Sequence, residues 1–457
     1  MRGERLVVVL ACVCVFAVIL DATIVAVALP GIRGELGFGE AGIGWVVTGY
    51  TLVFAGFQLL GGRCADVYGL RRVLYAGLVV FGVGSVLAGL APNAWLLLAA
   101  RAVQGLGGAL LVPTALACIT TVVPDGARRA SALATWSMVG AVGAASGTVL
   151  GGVLTQAAGW RWVFLINVPI VVLAAALVRP ALPPHGDGTR RPLDLPGALL
   201  VTAGLTLVVY AISGSGTALT SWLPGAAGVL LLSAFLGWEH RGREPMLPLR
   251  LFRVRTVSAA NLTMFAIGLA FFATPILLSL YLQGVLGYSP LQAGLAFAPS
   301  SVLTLAGGRL AGRVTPRWGL RRASVAGSLI AAAGFGLLAV LTETAAPYVL
   351  GVGIPVAVVG FGIGLAFTPI TVAATRGVEP GYAGIAAGLL NTTRQTSGAA
   401  GVAVLTAIST AAGDHGAHGY AVAFAVTFGC AAAAALLAAL LLPGTSAAVA
   451  PPVAANR

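Results

Sequence analysis

Apolar runs of roughly 17–25 residues recur along the chain, separated by short polar connectors. That length matches a helix crossing the hydrocarbon core, where only helices and closed barrels satisfy every backbone hydrogen bond. The pattern predicts an all-α polytopic membrane protein. We count fourteen runs, beginning near Leu6, Gly42, Val73, Trp95, Ala130, Trp162, Pro196, Ser221, Val257, Gln292, Ala323, Tyr348, Gly384 and Tyr420.

The seventh and eighth runs leave the helix count open. They read "LPGALLVTAGLTLVVYAIS" and "SWLPGAAGVLLLSAFLGW". If this pair formed a single interfacial hairpin instead of two spans, the count would be twelve.

Charge placement predicts the orientation. Only 9% of the 457 residues are charged, and all 26 basic residues are arginines, which gives a net charge of +13. With the amino terminus inside, Arg33 and Arg161 fall outside, Arg101 and Arg394 fall within helices, and the other 22 lie in inside loops and tails. This is the positive-inside pattern, so the basic excess indicates anionic lipid headgroups and not nucleic acid. We expect the cytoplasmic (inner) cell membrane, with both termini cytoplasmic.

The sequence also bears on other function classes. An ATP-driven pump needs a P-loop lysine, and the chain contains no lysine. An intramembrane enzyme needs a paired acid–base or metal constellation at depth, which we do not find. The sequence does not exclude a channel, although it contains no stretch that resembles a selectivity filter. We expect no metal site and no disulfide framework; the residues considered were Cys12, Cys14, Cys64, Cys118, Cys430, His185, His240, Asp414, His415 and His418, the last three in one outside loop.

One arginine-rich phrase occurs twice. "GGRCADVYGLRR" spans Gly61–Arg72, and "GGRLAGRVTPRWGLRR" spans Gly307–Arg322. Both fall on the inside, after the second and the tenth predicted helix. An ordinary positive-inside loop explains the arginines but not the shared order of glycines and arginines. A duplicated helical bundle explains both, because many transporters are built from repeated halves.

The first copy resembles the loop signature of the major facilitator superfamily. In that family the loop is a cytoplasmic latch between the two halves, and the matching residues here are Gly62, Asp66, Gly69, Arg71 and Arg72. Cys64, Val67 and Leu70 depart from the usual pattern, and the second copy has Gly312 where the acid belongs.

Further stretches resemble the fourteen-helix drug:proton antiporter branch of that family. In chain order they are "LDATIVAVALP", "RAVQGLGGALLVP", "GWRWVFLINVPI", "YLQGVLGYSPLQAG" and "NTTRQTSGAAGVA". The resemblance implies the major facilitator fold, with two six-helix bundles plus two extra central helices, 14 transmembrane helices in all. The implied units are an amino-terminal bundle over 1–178, a linker with the extra helices over 179–256, a carboxy-terminal bundle over 257–442 and a cytoplasmic tail over 443–457.

The fifth predicted helix carries a departure from the branch's antiporter motif. The motif places Gly-Pro before Gly-Gly, whereas "ASGTVLGG" has Thr148 in the proline position. Any kink must then come from glycine flexibility. The glycines that still allow close helix contact are Gly143, Gly147, Gly151 and Gly152.

Asp21 and Arg101 are charged residues at membrane depth, and such residues mark ion or substrate pathways. Asp21 lies roughly 12 Å from the outer end of its helix and Arg101 roughly 8–9 Å from the end of its own, so their side chains can meet. A carboxyl group whose proton affinity changes with its surroundings can load a proton on one side and release it on the other. The resemblance also links the first-helix acid to proton coupling. A static pair that only holds two helices together is the competing interpretation.

Arg394 lies roughly in the middle of the thirteenth predicted helix, with no acidic partner in its half. It either pairs with backbone carbonyls or Asn391, or faces a cavity and attracts anionic groups. The absence of further membrane acids favours neutral, weakly charged or anionic amphiphiles as substrates. The candidate cavity residues are Trp136, Asn261, Phe265, Phe271, Phe272, Tyr281, Asn391, Arg394 and Gln395.

These features predict a proton-coupled exporter of hydrophobic drugs or antibiotics. It would be an antiporter and not an enzyme, would need no cofactor beyond the proton gradient, and would act as a monomer. The expected partners are a small hydrophobic or amphiphilic substrate, protons and membrane lipids. The alternative is a proton-independent facilitator, or a symporter of a small metabolite.

Overall fold

The computed structural model describes residues 2–124, 126–182, 193–213, 218–242, 247–344, 346–379, 382–412 and 416–444. Over these ranges the chain is helical and contains no β-strand. The prediction of an all-α membrane protein is confirmed. The helices are α1 (Arg2–Leu36), α2 (Glu40–Ile43), α3 (Trp45–Tyr68), α4 (Leu70–Gly89), α5 (Ala94–Val122), α6 (Ala127–Ala158), α7 (Trp162–Leu165), α8 (Asn167–Ala181), α9 (Leu195–Ile212), α10 (Ala218–Arg241), α11 (Arg255–Gly284), α12 (Pro290–Ala296), α13 (Ala298–Leu341), α14 (Ile354–Thr375), α15 (Ala383–Ala411) and α16 (Ala417–Leu441).

By length and composition, 12 spans among the described residues are long and apolar enough to cross a membrane. One of them, Pro290–Leu341, is 52 residues long and contains a backbone break at Gly319 within α13, so it is long enough for two separate spans. Helix α15 is outside the twelve because a polar stretch, Asn391–Ser397, interrupts its centre. A total of fourteen spans is reached only if the second span within Pro290–Leu341 and helix α15 are both counted. The fourteen-helix count therefore stays a prediction.

The two copies of the arginine-rich phrase share a backbone conformation. Gly69, between α3 and α4, has φ 85° and ψ 144°, and Gly319, within α13, has φ 78° and ψ 165°. Glycine adopts positive φ without the steric cost that a Cβ atom imposes. The Gly-Leu-Arg-Arg ending therefore recurs because each copy makes the same turn between two helices.

The Gly-Gly-Arg beginning has an equally specific cause. A Cβ atom on Gly61 would collide with the carbonyl oxygen of Ala109 in α5, and one on Gly307 would collide with that of Phe361 in α14. In both copies, the helix before the turn crosses its neighbour so closely that the two backbones are in contact. The phrase thus marks one helix crossing that is used twice, which supports a duplicated scaffold.

Helices α9 and α10 form a hairpin that packs over the seam between α3 and α15. Helix α9 runs antiparallel to α3, with Ala198 near Leu60 and Val209 near Leu52. Val209 also joins Ala403 of α15 in the same apolar cluster. Helix α9 therefore follows α3 over several turns and lies along it rather than across it.

The ends of the bundle are defined here by its turns. The arginine-rich end carries the turns at Gly69 and Gly319, and the far end carries those at Gly37, Gly159 and Gly287. The predicted cytoplasmic tail (443–457) lies outside the described residues beyond position 444.

The first and second halves of the chain are hydrogen-bonded to each other towards the far end. The Gln283 side-chain amide donates to the carbonyl oxygen of Val27 (3.0 Å), which joins α11 to α1. The backbone N–H of Leu291 donates to Oε1 of Gln156 (3.2 Å), which joins α12 to α6. These bonds, formed by backbone groups and neutral amides, close the far end.

A crossing of two glycines completes this closure. A Cβ atom on Gly152 of α6 would lie 2.6 Å from the carbonyl oxygen of Pro290. A Cβ atom on Gly294 of α12 would lie 2.5 Å from the carbonyl oxygen of Thr148. Real Cβ atoms do not approach a carbonyl oxygen this closely, so the two halves meet here only because both residues lack a side chain.

Candidate functional site

A fully buried ion pair joins α1 to α5. Nη1 of Arg101 lies 2.6 Å from Oδ2 of Asp21, and both side chains are 0% exposed. The expectation that these two residues can meet agrees with this geometry. Their role in proton coupling stays a prediction at this point.

Three polar side chains from other helices complete the network around Asp21. Asn167 of α8 and Gln104 of α5 both donate to Oδ1 of Asp21, at 2.7 and 3.1 Å. Gln104 also accepts from Arg101 (2.9 Å) and donates to the hydroxyl of Ser85 in α4 (2.8 Å). Both carboxylate oxygens are therefore hydrogen-bonded, which is what a buried charge requires.

Helix α3 covers the other side of the guanidinium group. Nε of Arg101 donates to the carbonyl oxygen of Val46 (2.8 Å). The Tyr50 ring lies 4.3 Å from the guanidinium carbon, and the Phe164 ring lies 5.6 Å from it. Cation–π contacts of this kind are strongest where water is excluded, as it is here. Four elements, α1, α3, α5 and the short helix α7, thus fix the position of Arg101.

Two polar atoms of this network lack a hydrogen-bond partner. Nη2 of Arg101 and Oδ1 of Asn167 are buried and have no hydrogen-bond partner. Buried polar atoms without partners are uncommon in native structures and call for a physical reason. One donor and one acceptor thus remain available for a second arrangement of the same side chains.

Glycine makes the local packing possible. A Cβ atom on Gly84 of α4 would lie 2.7 Å from the Gln104 side chain and 2.8 Å from its backbone nitrogen. The equivalent position in the second copy, Gly334, faces the apolar residue Val359. The helix crossing is therefore repeated in both halves, whereas the polar network, over the residues that the structure describes, lies in the first half.

The antiporter-motif glycines of α6 pack mainly against α1. A Cβ atom on Gly143 would lie 3.3 Å from the Phe16 ring, one on Gly147 would collide with Oγ1 of Thr23, and one on Gly151 would lie 2.5 Å from the carbonyl oxygen of Ile24. This face of α1 flanks Asp21. Gly152 points instead at α12, as described above. Thr148, which stands where the motif has proline, is buried, and its hydroxyl has no hydrogen-bond partner.

The latch residues lie at the arginine-rich end. Gly69 makes the positive-φ turn, Asp66 and Arg72 are exposed, and Gly62 and Arg71 are half-buried. Their latching role stays a prediction.

The predicted cavity residues fall into several groups. Phe271 and Phe272 form an aromatic cluster with Phe367 of α14. Asn261 is buried and accepts a hydrogen bond from Thr393 (2.7 Å), which ties α11 to α15.

The remaining candidates are dispersed. Tyr281 lies near the far end, where its hydroxyl donates to the carbonyl oxygen of Thr342 (3.1 Å). Trp136 is half-buried, and its indole N–H has no hydrogen-bond partner. Phe265 is 39% exposed. Asn391 accepts a hydrogen bond from Arg394, and Gln395 is half-buried beside them on α15.

Sequence reasoning missed the polar partners of the ion pair: Gln104, Asn167, Ser85 and Tyr50. A signal was present for two of them. Gln104 follows Arg101 by three residues and so shares its helix face, and Asn167 interrupts an apolar run. For the outside-loop histidine group, Asp414 and His415 lie outside the described residues, while Nδ1 of His418 lies 2.6 Å from Oε1 of Glu343.

The match to a family model decides the family. Residues 11–402 match the model of the Major Facilitator Superfamily. The chain belongs to the major facilitator superfamily. As a member it is a membrane transporter and not an enzyme, and the resemblance drawn from its motifs is confirmed.

Two major facilitator relatives are similar over most of the chain. The cephamycin export protein of Amycolatopsis lactamdurans is 43% identical over 417 residues, which cover 88% of this chain and 84% of the relative. The puromycin resistance protein of Streptomyces alboniger is 38% identical over 433 residues, which cover 90% and 86%.

A solved major facilitator structure confirms the fold. A D-xylose-proton symporter superimposes with a TM-score of 0.72 at 15% identity, covering 96% of this chain and 98% of that one. At that identity the similarity concerns architecture alone.

Proposed function

We propose that this transporter exports antibiotic-like compounds from the cell and that proton movement through Asp21 drives the export. The observation that carries the proposal is the buried network centred on Asp21. It supplies one titratable group, held by a permanent cation and two amides, in a helix that packs directly on the interface between the halves.

The geometry supports a coupling role for the following reason. Asp21 lies on α1, as does Val27, whose carbonyl oxygen accepts a hydrogen bond from Gln283 of the second half. Opening the far end must break that bond. The proposed coupling requires that α1 then shifts relative to α5, which lengthens the distance between Asp21 and Arg101 and lowers the stability of the ionised carboxylate.

The proposed cycle has two states. With the far end closed, Arg101, Gln104 and Asn167 stabilise the ionised form of Asp21. With the far end open, α1 is displaced and water from outside reaches the carboxyl group, which takes up a proton. Uptake of the proton accompanies release of the substrate to the outside. Closing the far end re-forms the ion pair, and the proton passes to water on the arginine-rich side, where the next substrate binds; one proton is thus exchanged for each exported molecule through this single carboxyl group.

The export direction and the class of compound are inferred from the relatives. The protein most similar among those described is named as a cephamycin exporter, and the other is named for puromycin resistance. The chain spans more than four fifths of each relative. An exporter with both termini cytoplasmic in the inner cell membrane accounts for these similarities and for the positions of the arginines.

Transport into inverted membrane vesicles tests the proposal. We expect a cephalosporin or puromycin to accumulate against its gradient when the vesicle lumen is acidic, and accumulation to stop when a protonophore collapses the gradient. Equal accumulation with and without the gradient would contradict proton coupling and favour a facilitator.

A further inference from the structure

Helix α15 carries a polar stretch at its centre. Residues Asn391–Ser397 read Asn-Thr-Thr-Arg-Gln-Thr-Ser and interrupt an otherwise apolar helix. Arg394 lies eleven residues from the helix start, about 17 Å at 1.5 Å per residue, close to mid-helix. A charged side chain at that depth has a high energetic cost in lipid, so it must face protein or water.

Contacts made by neighbouring residues show which way Arg394 faces. Gly388 packs against Leu59 of α3 and Val402 against the residue directly before α3, whereas Ser397 and Gly401 pack against α11. At 100° per residue, Arg394 falls on the strip between these two faces. The opposite strip is covered by α9, so the Arg394 strip faces the interior between the two halves of the protein.

Among the residues that the structure describes, Arg394 has no acidic hydrogen-bond or ion-pair partner. Asp21, near the middle of α1, is already paired with Arg101. One terminal nitrogen of Arg394 donates to Oδ1 of Asn391, while its Nε is buried without a hydrogen-bond partner. The arginine therefore contributes one uncompensated positive charge to the interior, with a free donor.

An aromatic cluster lies one helical turn away. A Cβ atom on Gly398 would lie 2.9 Å from the side chain of Phe272, and Gly398 is four residues, about 6 Å, from Arg394. The ring of Phe271 lies 5.2 Å from that of Phe272 and 5.7 Å from that of Phe367. A cation and an apolar surface on adjacent turns of one helix suit an amphiphile with an acidic group beside its ring system.

We infer that Arg394 and Asn391 form the anion-binding part of the substrate site, and that the preferred substrates are amphiphiles bearing one carboxylate next to an aromatic or other apolar body. This inference rests on the proposed export function. The guanidinium group presents paired donors that suit a carboxylate, and Nδ2 of Asn391 adds another. The three phenylalanines hold the apolar body.

Binding to the purified full-length protein tests the inference without a pH gradient. In phosphatidylcholine nanodiscs, which lack anionic lipid, the probes are N-dansyl-phenylalanine, its neutral carboxamide and the cation dansylcadaverine. We expect the acid to bind about tenfold tighter than the amide, as a charge-assisted hydrogen bond provides. Equal affinities, no binding of the acid, or a preference for the cation would overturn the inference.

Matched variants assign the effect to Arg394. Arg394→Gln should abolish the preference for the acid while leaving amide affinity unchanged, and Arg394→Lys should retain much of the preference. Phe271→Leu should weaken acid and amide alike and so preserve their ratio. If Arg394→Gln lowers both affinities equally, Arg394 is structural and the inference fails.

The two proposals fail in different ways. Loss of acid preference bears on Arg394 alone, because no gradient is present in the binding measurement. Loss of gradient dependence in vesicles bears on Asp21 and leaves the binding result intact.

Discussion

Asp21 and Arg101 are 80 residues apart in the chain, yet their side chains meet at 2.6 Å in a site from which water is excluded. Each side chain is also held from a second direction: Asp21 by Asn167 of α8, and Arg101 by the carbonyl oxygen of Val46 in α3. A buried pair of this kind contributes little net stability by itself, but the loss of one partner leaves the other charge uncompensated. A pair of this kind suits a site at which the carboxyl group gains and loses a proton.

Asp21→Asn is expected to abolish uphill transport, and to lower the melting temperature because it leaves the Arg101 charge uncompensated, while the protein still folds. Asparagine has nearly the same shape as aspartate and can still accept a hydrogen bond from Arg101, but it cannot exchange a proton. In inverted vesicles, gradient-driven accumulation should fall to the level seen with a protonophore, while downhill substrate exchange continues.

Glu343→Gln is the matched control for that variant. It makes the same change of carboxylate to amide at an exposed position, where the acid pairs with His418. Its accumulation should equal that of the unaltered protein. Normal uphill transport by Asp21→Asn would leave the pair with a purely structural role.

Arg101→Gln is expected to destabilise the protein more than the double variant Asp21→Asn/Arg101→Gln. The single change leaves a buried carboxylate without its cation, which costs about 3–5 kcal/mol. Neutralising Asp21 as well removes that penalty. Melting temperatures of the two single variants and the double variant in one detergent give the coupling energy, and strictly additive effects would contradict the ion pair.

Gly152→Ala is expected to open the far end. The added methyl group would lie 2.6 Å from the carbonyl oxygen of Pro290, so α6 and α12 must separate. A cysteine introduced at Gln283, in a background without the five native cysteines, should react faster with a membrane-impermeant maleimide.

Gly429→Ala on α16 is the control for this substitution, since a Cβ atom there meets nothing within 4 Å. It should leave the labelling rate unchanged. If both alanine variants are labelled at the same rate as the parent, the glycine crossing does not determine closure of the far end.

Gly147→Ala is expected to disturb the packing of α6 on α1, and Thr23→Ala should partly restore it. The new methyl group would occupy the position of Oγ1 of Thr23, while Cβ of Thr23 would remain 3.0 Å away. Thermal stability should therefore drop in the single variant and recover in the double variant. A double variant no more stable than Gly147→Ala alone would show that strain against the α1 backbone dominates.

Much of the architecture follows from local sequence pattern. Twelve of the fourteen predicted runs begin within about four residues of the start of a helix in the structure, because apolar run length and polar connectors are properties of short segments. The run at Ala323 begins four residues after the break at Gly319 within α13, and the run at Tyr348 begins six residues before α14. The repeated phrase could be interpreted correctly from Gly69 and Gly319, since a turn that needs positive φ leaves a glycine in the sequence.

The partners of the buried charges were not predictable in the same way. Asn167 reaches Asp21 from a helix far along the chain, and only the three-dimensional packing of α8 on α1 brings them together. The same applies to Gly152 and Gly294, whose contact depends on how the two halves dock. Tyr281 shows a second limit of sequence-based prediction. An aromatic residue on an apolar helix can line a cavity or pack between helices, and the sequence alone does not distinguish the two.

The duplicated scaffold has a consequence for how such a pump diversifies. Both copies keep the glycine turn and the backbone-distance crossing, but the ionisable pair belongs to the first copy and the lone arginine with its phenylalanines to the second. On the proposed assignments, substitutions that change the preferred substrate would fall in the second copy and leave the proton-coupling residues of the first unchanged. A lineage of such transporters could then acquire new substrates while keeping the same coupling mechanism.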